Sequence, residues 1–137
     1  MRLRNALIGL FMVVSISCDR ESADIGTTLK STTLAGTWQL SETYISPGGV
    51  TEWIAVENGF QYTFETNGLF KKTENDGGVQ EEGSYRLEED ELFLEFEFEG
   101  ELTTLGFYLE QTDDTITLSP SFPTFCIEAC LYRFTRK

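Results

Sequence analysis

The stretch that decides the fold is SYRLEEDELFLEFEFEGELTTLGFYLEQ, residues 84–111. Tyr85, Leu87, Leu92, Leu94, Phe96 and Phe98 fall on alternate positions, mostly separated by charged residues. That period of two marks strands with one buried face. Antiparallel partners share a face, so each hairpin can be tested by asking whether its apolar sets land together. With Glu89-Asp90 as a two-residue turn, Leu87 meets Leu92 and Tyr85 meets Leu94. With Gly100-Glu101 as a type II′ turn, Phe96 meets Leu105 and Leu94 meets Phe107.

Working outward, Asp113-Asp114 as the next turn sets Leu109 against Leu118 and Gln111 against Ile116. Upstream, Asn67-Gly68 as a two-residue turn would put Phe64 opposite Lys71, which parity rejects. A three-residue loop, Thr66-Asn67-Gly68 with Gly68 left-handed, pairs Phe64 with Phe70 and Tyr62 with Lys72, and it turns Lys72 inward. Eight strands are predicted, near residues 37–45, 60–65, 69–74, 82–88, 91–99, 103–111, 114–119 and 130–136. The fold class is all-β, an eight-stranded up-and-down antiparallel meander. Closing into a barrel would bury its single apolar face, and an open sandwich would bury the same face.

The chain has 137 residues, 40% hydrophobic and 13% aromatic, enough for one folded domain. Ten basic residues against 23 acidic ones give a net charge of −13, the wrong sign for a nucleic-acid partner. The absence of histidine removes Ser-His-Asp and Cys-His catalysis and imidazole-ligated zinc together. Carboxylates abound, but no pair stands out as an acid and its base. The reading is a non-catalytic protein with no cofactor and no metal.

Arg2 and Arg4 precede an apolar run, Ala6 to Val14, and small residues lead to Cys18. Residues 1–17 therefore read as a signal peptide. The thiol directly after them resembles the lipobox of bacterial lipoproteins, although Ser15 stands where Leu or Val is commoner in that motif. The resemblance implies lipidation of Cys18 and membrane attachment through that anchor. Residues 18–33 then form the lipidated Cys and a flexible tether, and residues 34–137 the folded domain. Asp19, Glu21 and Asp24 resemble both an inner-membrane retention signal of enteric bacteria and a surface-export signal of Bacteroidota. The expected location is the bacterial envelope, with the outer membrane favoured and its face left open. Outside the cytoplasm, Cys126 and Cys130 are expected to pair as a disulfide.

Gly36-Thr37-Trp38 at the head of the first strand resembles the Gly-X-Trp signature of lipocalins. With the lipobox, the run 58–64 and the closing segment 126–134, the chain is similar to small lipocalin-like lipoproteins of Bacteroidota. The resemblance implies a lipocalin-like barrel. It implies that Trp38 packs at the closed end under a late-strand cation, Arg133 or Arg136, with Gly36, Trp38 and Arg133 as the expected base signature. It also implies a small hydrophobic ligand at the open end. The expected lining is Trp53, Tyr62, Phe64, Phe96 and Phe107, with Lys72 either meeting a carboxylate ligand or holding its amine in water. The abundance of inward Phe argues that the cavity is shallow. A solid barrel serving as a structural or protein-interaction module is the alternative, its protein partner unspecified.

Overall fold

A computed structural model describes residues 34–137; Cys18 and the stretches read as a signal peptide and a tether lie outside the described residues. The elements are β1 (Gly36–Ser46), β2 (Ile54–Ala55), β3 (Gln61–Phe64), β4 (Leu69–Thr73), β5 (Val79–Glu88), β6 (Glu91–Phe98), β7 (Glu101–Gln111), β8 (Thr115–Phe122) and β9 (Ala129–Arg136). From β3 to β9 each strand pairs antiparallel with the next. β1 pairs with β3 along one edge and with β9 along the other, which closes an eight-strand up-and-down barrel. The extra strand, β2, is a two-residue piece of the long first connection. It continues the β3 side of β1 at Glu42 and Thr43.

Parity reproduces most of the register. Leu87 faces Leu92, Tyr85 faces Leu94, Leu109 faces Leu118, and Phe64 faces Phe70. The β6–β7 hairpin differs: its turn is Glu99-Gly100, so Phe96 faces Thr103 and Leu94 faces Leu105. Both turn residues have positive φ, 52° and 84°, as a type I′ turn requires. The slip is two residues, and because side chains alternate with period two, every residue kept its face.

The Gly36 end of β1, the short turns at 65–68, 89–90 and 112–114, and the end of β9 gather at one end of the barrel. The connections from β1 to β3, from β4 to β5 and from β8 to β9 gather at the other, together with the tight Glu99-Gly100 turn. Between these ends the inward side chains of Trp38, Tyr62, Phe64, Phe70, Leu92, Leu94, Leu118 and Phe134 form one buried core. Near the open end the wall parts. β8 follows β7 as far as Phe122 but pairs with β9 only from Thr115 to Leu118. Pro120 brings no backbone N–H to continue that ladder. The connection from β8 to β9 spans the gap, tied by a disulfide between Cys126 and Cys130.

A non-glycine residue held at positive φ costs roughly 1 kcal/mol, least for Asn. Glu99→Asn should therefore raise the unfolding free energy by about 1 kcal/mol in urea titrations. A decrease would show that the turn is not of this type.

Candidate functional site

At the closed end, Arg136 lies cross-strand from Trp38, with its guanidinium carbon 4.0 Å from the centre of the indole. The guanidinium also donates from Nη1 to Ala35 O (3.0 Å) and from Nε to Asp113 O (3.1 Å). Trp38 Nε1 donates to Leu34 O at 2.7 Å, so the polar edge of the buried ring is satisfied. Gly36 makes the arrangement possible. Its φ is +133°, and a Cβ there would stand 2.7 Å from Arg136 Nη1. The expected Trp–Arg contact is present, but its cation is Arg136 and not Arg133. β9 turns Phe134 inward, so Arg133 points outward.

Arg133 instead stacks 3.8 Å over the Trp53 ring and pairs through Nη1 with Glu42 Oε2 at 2.5 Å. Tyr44 packs on the same indole, ring centres 5.5 Å apart. The cause is a bulge in β1 between Leu40 and Glu42, which shifts the alternation by one residue. Beyond it Glu42 and Tyr44 face outward opposite Arg133 and Leu131. Trp53 therefore lies on the outer wall, not in the mouth where the sequence reading placed it.

Inside the barrel the predicted lining separates into two levels. Phe64 lies cross-strand from Gly36 at the closed end and packs edge-on against Tyr85 at 5.0 Å. It is a base residue and takes no part in the mouth. Tyr62 stacks on Phe64, Phe70 and Phe134, and Phe70 on Phe96, with ring centres 5.5 to 6.2 Å apart. Phe70 and Phe134 are 1% exposed and Phe64 2%, which leaves no water-sized void against them. The lower barrel is solid.

Above this stack, Val56, Phe60, Leu105 and Tyr132 pack against the core yet keep part of their surface open. Tyr62 and Phe96 form the floor of a cup, with Phe60 and Tyr132 on its wall; Phe107, expected in the lining, faces Leu92 across the β6–β7 hairpin and lies toward the closed end. Lys72 does point inward. Its Nζ lies 3.0 Å from Glu81 Oε1 and 4.9 Å from the centre of the Phe60 ring. Its charge is thus already matched within the chain, which removes the reason to assign it a ligand carboxylate. Around the cup, exposed apolar side chains crowd the open end, among them Ile54, Val79, Phe98, Phe125 and Ile127. Burial, and secondarily the Glu81 charge, push the Tyr62 hydroxyl well above its usual pKa, so Tyr62 stays neutral. Among the described residues no group of His, Cys, Asp and Glu is placed to hold a metal ion.

A barrel of this order, closed by β1 on β9 with a Gly-X-Trp head under a terminal arginine, agrees with the family comparison. Residues 34–118 match the model of the lipocalin-like domain. The chain belongs to the lipocalin-like domain family. Among solved structures this lipocalin-like barrel resembles a lipocalin-like protein from Bacteroides uniformis ATCC 8492, at 20% identity and a TM-score of 0.54, covering 77% of this chain and 99% of that one. It also resembles an uncharacterized protein from Bacteroides eggerthii DSM 20697, at 19% identity and a TM-score of 0.51, covering 75% and 98%. No curated protein matches. At these identities the likeness speaks for the fold.

Sequence reasoning missed Glu81, Phe60, Leu105 and Tyr132 as parts of the cup. Glu81 was within reach: parity continued back from Tyr85 through Gly83 lands on it, and the hairpin brings it opposite Lys72. The two-level reading predicts unequal truncation costs. Phe64→Ala should lose about 3 to 5 kcal/mol of unfolding free energy, and Phe60→Ala, partly open already, about 2 kcal/mol or less. The reverse order in urea titrations would place the void at the wrong level.

Proposed function

We propose that this chain is a lipid-anchored, non-catalytic lipocalin-like protein of the bacterial envelope, at the outer membrane, which takes a small hydrophobic ligand into the open end of its barrel. The observation that carries the reading is the change of packing along the barrel axis. Inward side chains are closed against one another up to Tyr62 and Phe96, and open above them. Concave apolar surface with few polar groups is where small molecules bind. The exposed apolar residues around the rim extend that surface outward.

Leu34, the first described residue, accepts the Trp38 hydrogen bond at the closed end. A tether running from Cys18 would therefore join the barrel at the end away from the cup. In that arrangement the mouth points away from the anchoring bilayer and is reached from the aqueous side.

A second reading, a barrel that presents a protein-binding face, has one observation in its favour. Phe125 and Ile127 are 72% and 90% exposed, on the β8–β9 connection and outside the cup.

Displacement of a fluorescent apolar probe by single-chain amphiphiles should show saturable binding at about micromolar affinity. Leu105→Trp, which fills the cup without adding charge, should weaken it about tenfold or more. No saturable binding by any amphiphile would favour the protein-binding face. Anchoring is tested separately. Wild type should enter the detergent phase and Cys18→Ser the aqueous phase, and equal aqueous partitioning of both would remove the lipoprotein reading.

A further inference from the structure

The inward ion pair of Lys72 and Glu81 holds one acceptor position that the described residues leave empty. Glu81 Oε1 takes the Lys72 ammonium at 3.0 Å, and the two side chains are only 20% and 18% exposed. Its second oxygen, Oε2, is buried and has no hydrogen-bond partner among the described residues. A buried carboxylate oxygen without a donor is costly, and native proteins leave few such atoms without a reason.

The position of this oxygen matters. Lys72 is cross-strand from Tyr62, which forms the floor of the cup, and its ammonium stands over Phe60 on the cup wall. Tyr62 is close enough to Glu81 for that charge to oppose ionisation of its hydroxyl. The cup is therefore apolar on most sides, and the ion pair at its edge carries an acceptor in need of a donor; Oε2 itself is sealed from solvent, so a head group meets it by turning the part-exposed carboxylate about its last torsion.

Resting on the proposed binding function, we infer that Glu81 selects the head group of the ligand: the cup takes a single-chain amphiphile whose polar end donates a hydrogen bond, an alcohol or a primary amine, and discriminates against a carboxylate. An acid would bring a second negative charge beside Glu81, while Lys72, already paired, has no unmatched charge to offset it. A hydroxyl or ammonium instead completes the carboxylate and leaves the Lys72 contact intact. The polar residue that decides ligand class is then an acidic one, in place of the lysine that the sequence alone suggested.

The test uses the folded chain at physiological salt and four probes of equal chain length: 1-dodecanol, its methyl ether, dodecylamine and dodecanoate. Calorimetric or displacement titration should rank the alcohol and the amine about tenfold or more above the ether and the acid. Glu81→Gln, which leaves the Lys72 ammonium unmatched, should turn the preference toward dodecanoate and away from dodecylamine, and the uncharged pair Lys72→Met with Glu81→Gln should level the four affinities. Glu97→Gln on the outer wall should leave the ranking unchanged, separating the local carboxylate from the general acidity of the chain. Binding of all four probes without preference, dodecanoate binding as tightly as dodecanol, or an unaltered ranking in Glu81→Gln would each overturn the head-group inference while leaving the cup in place. Failure of all four to bind would overturn both readings.

Discussion

The stacked rings of Tyr62, Phe64, Phe70, Phe96 and Phe134 decide how much of the barrel is left for anything else. Eight strands enclose a space that side chains can nearly fill. Here one aromatic column, seated on Leu92, Leu94, Leu118 and the Trp38–Arg136 pair, fills its lower part. Ring pairs at these separations add edge-to-face attraction to the burial of their area. The closure of β1 against β9 holds the column from outside, and the column holds the closure from within. Above Phe96 the inward positions carry Thr103, Lys72 and Glu81 among the apolar ones, and the packing opens. The cup is the upper half of a barrel whose lower half is full.

The hairpins were legible in the sequence because each turn had to bring two apolar sets together, and only one parity did so. That test is blind to a slip of two residues. It therefore missed that Glu99-Gly100, with both φ angles positive, makes the β6–β7 turn, although it placed every side chain of that hairpin on the right face. The bulge at Ser41 was invisible for a different reason. Nothing in the run Gln39-Leu40-Ser41-Glu42-Thr43 marks where the alternation changes phase, and the shift sends Trp53 to the outer wall beside Tyr44 and Arg133. The inward turn of Lys72 was legible from a single loop length. Its partner was not, because the expected strand at 82–88 begins one residue past Glu81.

These geometric facts bear on function through the two ends of the barrel. The closed end is locked by backbone acceptors, with Ala35, Asp113 and Leu34 carbonyls taking the donors of Arg136 and Trp38. The open end is where the β8–β9 ladder lapses, where the disulfide ties the connection, and where large apolar side chains remain in water. A closed base and an open apolar rim suit a protein that holds one ligand by shape and a single polar contact. A head group read by Glu81 fits this division, since the ion pair stands where the solid column gives way to the cup.

The central claim, a barrel filled below and hollow above, is tested most directly by diffraction from crystals pressurised with xenon, an atom that lodges in apolar voids and leaves close-packed cores alone. The account predicts xenon in the cup, against Phe60, Leu105 or Tyr132, and none among the rings of Phe64, Phe70 and Tyr85. Xenon within the lower column, or a cup that takes up none, would contradict it.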